Sequence, residues 1–417
     1  MSALLVTGAS QIATCAGPGP RRGAALDDAG LRTGVALLAE NGVIAAIGPE
    51  EELRRRAAPA LAAGTLTVLD ARGSAVVPGF VDAHTHAVFA GNRAREFDMR
   101  IRGKTYLEIL EAGGGILDTV QHVRDAGLAG LLADSLPRLE RMRALGTTTA
   151  EIKSGYGLSL EAELMMLEAI RAVSATGPVG VVPTFLGAHA CPRGVDREHY
   201  VTEVADVMIP RVAQGGLARF VDVFCDAGAF DVRQARRILD AGRAHGLLLK
   251  LHADEIQSIG ATPLGVELGC TSLDHLEKIT EADVARLADS PTVAVLLPGT
   301  AFILGLGFPP ARQLIERGAA IALATDCNPG SCYTESMPII QTLACAGMRM
   351  TPAEALVAST LNAAAALGVS DRVGSLEVGK QADLVVLNAS DFREIAYHFG
   401  SNPVRSVVRG GRIVAGA

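Results

Sequence analysis

The 417-residue sequence has no tryptophan and only 11 phenylalanines and 5 tyrosines, so its core must be mainly aliphatic. Its seven cysteines are scattered, odd in number and never spaced as C-x-x-C. That excludes a disulfide framework and a zinc ribbon, and points to a reduced, cytoplasmic protein. No Lys/Arg block offsets the net charge of −7, so a nucleic-acid groove is not expected. No apolar run reaches the length of a membrane span. The opening Met-Ser-Ala-Leu-Leu-Val-Thr-Gly has no basic region and no long apolar stretch, so no signal peptide is expected. No G-x-G-x-x-G follows a strand-like run, which leaves a nucleotide-binding open sheet without support.

What is present is an alternation. Apolar strand-like runs recur near Val81, 147–152, 179–185, 220–224, 247–251, 271–273, 293–297 and 321–324, each followed by a helical pattern. Thr351-Pro352-Ala-Glu354 reads as a capping box with Pro at the first helical position. Thr280 and Ser159 read as further caps. Eight strand–helix units predict a (β/α)8 barrel over 76–372. Residues 1–75 read as short strands and turns, with a hairpin at Asn41-Gly42 and an exposed loop over 18–34. Residues 373–417 return to strands, with a hairpin at Gly410-Gly411. The two chain ends are expected to pair as a small β-sandwich beside the barrel.

Barrel chemistry sits where the strands end, and polar residues collect there. His84 and His86 end the first run, one residue apart; on a strand they share a face. Glu151, Lys153 and Tyr156 follow the second run, His189 the third, His252 and Glu255 the fifth, Asp274 and His275 the sixth. Asp326, Asn328, Gly330 and Ser331 follow the eighth. So many polar groups at buried termini need partners or a metal. His122, His199 and His245 lie in polar helical stretches and are expected in solvent. His398 has no evident place.

Several stretches resemble the amidohydrolase superfamily: Pro78–His86, Phe89–Arg93, Gly113–Ile116, Gly146–Gly157, Phe185–His189, His252–Glu255, Asp274–Glu277, Thr325–Ser331 and Tyr397–Gly400. Glu151–Gly157 and Asp326–Ser331 resemble, within it, the imidazolonepropionase family. Ala83 stands where that pattern leads one to expect Pro.

The resemblance implies one metal ion per subunit, zinc or iron, held by His84, His86, His252 and Asp326. Three imidazoles and a carboxylate would leave a position open for water. The fourth run ends Val223-Phe224-Cys225-Asp226, without the lysine that bridges two metals in many relatives, so a mononuclear site is expected. The activity implied is hydrolysis of the ring amide of 4-imidazolone-5-propanoate to N-formimidoyl-L-glutamate, by a homodimer. Asp326, Glu255 and His275 are candidates for proton transfer, with the choice of base open, and His189 for oxyanion stabilisation. Arg93 would meet the propionate. Tyr156, His189, Glu255, Asn328, Gly330 and Ser331 would contact the substrate. An aminohydrolase of purines or cytosine would share the metal ligands but would not need Arg93 or the Asn328–Ser331 loop.

Overall fold

The computed structural model describes residues 2–104, 108 and 113–416. Eight parallel strands form the central sheet: β1 (Phe80–Asp82), β2 (Thr147–Lys153), β3 (Gly180–Ala188), β4 (Phe220–Cys225), β5 (Leu248–Ala253), β6 (Ser272–His275), β7 (Val293–Leu296) and β8 (Ala320–Leu323). Each pairs with its neighbour in sequence, with helices between, as the alternation predicts. Ser159, Thr280 and Thr351 each cap a following helix, and Thr351 with Glu354 forms the full capping box.

The ring closes just beyond the ends of β1 and β8. Asp326 N–H donates to His84 O (3.0 Å) and His86 N–H to Cys327 O (3.0 Å). Buried Asp82 accepts from Thr325 N (3.0 Å) and Thr325 Oγ1 (2.6 Å). The lower interior is apolar, from Val81, Val182, Phe220, Val293, Val295, Ala320 and Ala322.

The chain ends form two further sheets. One has the order 43–48, 36–40, 3–7, 66–70; the other 412–415, 404–409, 384–387, 75–78, 11–13, 31–32. They share a core of Leu4, Val6, Leu37, Val76, Leu384 and Val408, which links the two ends of the chain. Both expected hairpins form. Asn41 and Gly42 turn the first at positive φ (51° and 85°), as a two-residue hairpin turn of this kind requires.

Two stretches depart from the sequence reading. Residues 18–34 are not simply an exposed loop. They strap across the barrel: Leu26 is buried, Arg21 exchanges hydrogen bonds with the Asn362 amide, and Arg22 Nη2 donates to Ser290 O (2.7 Å) ahead of β7. Arg21 and Arg22 serve partners on the barrel, while 31–34 and the residues flanking Leu26 stay exposed. A helix, Glu50–Ala62, also interrupts the expected strands. Only Leu53 and Ala57 of it are buried, too narrow a stripe to stand out as a period.

All seven cysteines are free. No helix among the described residues is long and apolar enough to cross a membrane.

Gly79 carries the chain from the strand 75–78 into β1. A Cβ there would lie 2.3 Å from Thr148 Oγ1 and 2.4 Å from Thr148 Cγ2. Gly79→Ala should therefore destabilise the fold by about 1–3 kcal/mol through overpacking, read as a lower melting temperature than the parent.

Candidate metal centre and active site

The site begins with the pleat of the chain after β1. His84 and His86 point to the same side, with ring centroids 5.3 Å apart. Thr85 between them faces the other way and ties to β2: its Oγ1 donates to Glu151 O (2.6 Å), and its carbonyl accepts from Lys153 N (2.9 Å). Across the seam, Asp326 takes a left-handed conformation (φ 52°). Non-glycine residues adopt it at a cost and keep it where the surroundings demand it. Thr300 Oγ1 donates to Asp326 Oδ2 (2.5 Å), leaving Oδ1 3.5 Å from His84 Nε2 and 3.6 Å from His86 Nε2.

His252, on β5, lies 4.5 Å from His84 and 5.7 Å from His86, ring to ring. His275, ending β6, lies 5.3 Å from His252 and 5.5 Å from His84. All of these side chains are buried.

The donor atoms of His84, His86 and Asp326 fall within 4.8 Å of one another, as do those of His84, His252 and His275. His84 belongs to both groups, so the four residues expected to bind metal converge, and His275 joins them. Buried His84 Nε2 and His252 Nε2 have no hydrogen-bond partner, and His86 turns its Nε2 to the same Asp326 oxygen as His84. Orphaned ring nitrogens beside a carboxylate oxygen are the donor set of a zinc- or iron-type cation, so the residues fit a metal ion. A third grouping, His84 with Glu151 and Asp274, already has cations in two lysine side chains.

The histidines divide by charge. Burial, helped by Lys153 and His252, holds His84 well below the usual imidazole range. Burial with His189 and His252 does the same for His86. Both are thus neutral, the form that ligates metal. Burial and then His252 push His189 down to about 3. His275 goes the other way. Burial opposes its charge, but Glu255 and Glu277 outweigh that and raise it to about 10. Its Nε2 is 3.5 Å from Glu255 Oε2 and its Nδ1 3.6 Å from Glu277 Oε2. Burial lifts the Glu255 carboxyl to about 7 against the pull of His275.

His189 stacks on His86 at 4.8 Å, and its Nδ1 lies 3.2 Å from Gly155 O. A carbonyl only accepts, so Nδ1 carries the hydrogen and Nε2 of the neutral ring is an acceptor. That runs against the expectation of His189 as an oxyanion donor. Tyr156 sits 5.7 Å from His86 and 5.2 Å from His189. Its loop is held by buried Glu163, which accepts from the N–H groups of Gly155, Gly157 and Leu158 (3.1, 2.7 and 2.9 Å).

Arg93 is not a free cation. Its Nε and Nη2 donate to Glu96 (2.9 and 2.6 Å). A Cβ on Gly330 would lie 2.2 Å from Arg93 Nη1, so the bare glycine makes room for the guanidinium. A cavity of about 660 Å³ opens beside this pair, reaching Phe97, Arg100, Arg138 and Tyr333; none of the buried histidines lines it. The Asn328 amide is already committed to its own loop. Nδ2 donates to Asp326 O (2.7 Å) and Ser331 Oγ (2.8 Å), and Oδ1 accepts from Gly330 N and Ser331 N (both 2.8 Å). Polar contact of Asn328 with a substrate would have to break one of these bonds. Ser331 Oγ reaches Asp326 Oδ2 at 3.5 Å. His122, His199, His245 and His398 are exposed.

Other residues around the site went unassigned in the sequence. Asp226 accepts from the N–H groups of Glu255, Ile256 and Gln257 (2.8, 2.9 and 2.9 Å) and so sets the Glu255 loop. Below the histidines, Lys153 and Lys250 are wholly buried among Glu151, Asp222 and Asp274. A lysine inside an apolar run, as in Leu247–Leu251, was the available signal for Lys250. Asp226 ends the fourth run, which was its signal; Glu96, Glu163 and Thr300 carried none, because each acts through a fold-made contact.

A family model described as the amidohydrolase family matches residues 75–414. The imidazolonepropionase of Geobacillus thermodenitrificans is 47% identical over 99% of this chain and 98% of its own. That of Symbiobacterium thermophilum is 49% identical over 99% and 97%. Among solved structures, Escherichia coli guanine deaminase aligns over the whole of both chains at 16% identity and TM-score 0.71. A zinc-bound adenosine deaminase from Xanthomonas campestris aligns over 98% of this chain and 92% of its own at 20% identity and TM-score 0.71. These distant structures share the fold; the near relatives, alike from end to end, carry the assignment. The chain belongs to the amidohydrolase family and, within it, to the imidazolonepropionases.

Proposed function

We propose that this chain hydrolyses the ring amide of 4-imidazolone-5-propanoate to N-formimidoyl-L-glutamate, a step of histidine degradation, with one zinc or iron ion per subunit. The observation that carries this reading is the convergence at one barrel mouth of His84, His86, His252 and Asp326 with the His275–Glu255 pair. The first four residues would hold the metal, and the bound ion would supply Lewis-acid polarisation and an acidified water.

The remaining chemistry belongs to the chain. His275, charged at neutral pH, is the donor suited to the oxyanion that develops on the ring carbonyl. His189, an acceptor at Nε2, suits a ring N–H of the substrate instead. Water adds to the carbonyl carbon, the ring C–N bond breaks, and one water proton must reach the leaving nitrogen. Glu255, with a carboxyl near 7, is matched to carrying it at neutral pH. Asp326, its Oδ2 already receiving the Thr300 hydroxyl, is the poorer base and is assigned to the metal alone. Arg93, fixed by Glu96 and admitted by Gly330, would meet the propionate through Nη1, with Tyr156 and Ser331 completing the pocket. Seven free cysteines suit a reducing cytoplasm, and a homodimer is the assembly the resemblance implies.

The test is turnover of 4-imidazolone-5-propanoate, followed by its ultraviolet absorbance. Stoichiometric metal and activity lost to a chelator and regained with zinc or iron are expected; a metal-replete protein without turnover overturns the proposal. Glu255→Gln should lower kcat by about 10²–10⁴-fold with metal content unchanged. Arg93→Gln should cost about 1.5–3 kcal/mol of substrate binding, read as a KM roughly 10–150-fold higher with kcat affected less.

A further inference from the structure

Lysines are rarely buried completely unless paired, and this barrel buries two, Lys153 on β2 and Lys250 on β5. Lys153 Nζ lies 2.7 Å from Asp222 Oδ2, 2.8 Å from Glu151 Oε2 and 3.5 Å from Asp274 Oδ2. Lys250 Nζ lies 3.0 Å from Glu151 Oε1 and 3.5 Å from Asp274 Oδ2, and donates to Ala83 O at 2.9 Å. Five charges thus form one dry layer. Replacing such a layer with well-packed apolar residues is often neutral or stabilising, so stability alone does not account for it.

The layer has two outlets upward. Asp274 Oδ2 accepts from His84 Nδ1 at 2.6 Å, and Ser272 Oγ donates to Asp274 Oδ1 at 2.6 Å. Asp222 Oδ2 stands 3.0 Å from His252 Nδ1. His84 Nε2 has no hydrogen-bond partner, and in the His252 ring neither nitrogen has one, so Asp222 meets that ring at ion-pair distance only. A carboxylate against Nδ1 fixes which nitrogen carries the hydrogen and which offers a lone pair.

We propose that Lys153 and Lys250 are positioning residues for the metal centre: they hold Asp274 and Asp222 in place against His84 and His252, and so present Nε2 of both imidazoles as ligand atoms. Lys153 touches both carboxylates and is the linchpin. The inference rests on the metal-centre reading given above.

The experiment measures metal affinity by chelator competition in the full-length protein, beside the melting temperature of the metal-free form. Lys153→Met should weaken metal binding roughly 10- to 100-fold, the usual effect of losing a partner behind a ligand. Unchanged affinity with only a lower melting temperature would reduce the layer to a structural role and overturn the proposal. Should Lys153→Met fail to fold, Asp274→Asn keeps the shape and removes the charge. It should weaken metal binding, and in ¹⁵N spectra of histidine-labelled protein convert the single His84 tautomer into a mixture. Unchanged affinity with an unchanged His84 signal would also overturn it. If the parent protein itself binds no metal, the fault lies with the metal-centre reading, which separates the two failures.

Discussion

The barrel becomes a closed object through a seam between residues far apart in the chain, where Thr325 binds Asp82, 243 positions away, and Asp326 N–H binds His84 O. This seam is also where the chemistry collects. His84 and His86 leave one side of it and Asp326 the other, so the contacts that close the ring also set the distance between the donors. The left-handed backbone at Asp326 is a local cost. It is held in place by the backbone bond to His84 and the Thr300 hydroxyl on its carboxylate. A slip of one residue in either strand would turn the histidines to the opposite face, so register and site stand or fall together.

The histidines of the site were visible in the sequence because they end apolar runs, where a polar residue is conspicuous. Asp222 and Lys250 were harder to read because they lie inside strands. In an open sheet with one wet face, alternating polar residues would mean solvent. In a closed barrel the same alternation points inward. The inward positions change character with height: Val182, Phe220 and Val293 low down, Thr184 and Asp222 above them, His252 and Asp274 near the top. That gradient exists only after closure, and no single run displays it.

Fold legibility followed the same rule. The eight strands, the hairpins at Asn41-Gly42 and Gly410-Gly411 and the caps at Ser159, Thr280 and Thr351 were readable because each depends on neighbouring residues alone. The strap over residues 18–34 was not. Its Arg22 binds carbonyls at 288, 290 and 318, contacts that exist only once the barrel is formed. The Arg93 expectation shows the intermediate case. The motif named Arg93 and Gly330 separately as substrate contacts, but their close approach and the bidentate hold on Glu96 come from a loop and a helix turn that the motif does not describe.

One cluster of histidines is pushed to two charge states, and the neighbours explain why. His84, His86 and His189 lie among other imidazoles, with Lys153 beneath; burial and mutual repulsion keep them neutral. His275, only 5.3 Å from His252, faces Glu255 and Glu277 and keeps its proton. Opposed pKa shifts within one site mark out which groups bind and which move protons. The division runs along the fold. His84 and His86 belong to the seam, with His84 also tied to the lysine layer, whereas His275 ends β6 and Glu255 lies in the loop after β5, with Asp226 anchoring the Glu255 backbone from the end of β4. A change in the lysine layer therefore acts first on the His84 and His252 rings, and a change at Asp226 acts first on the Glu255 backbone.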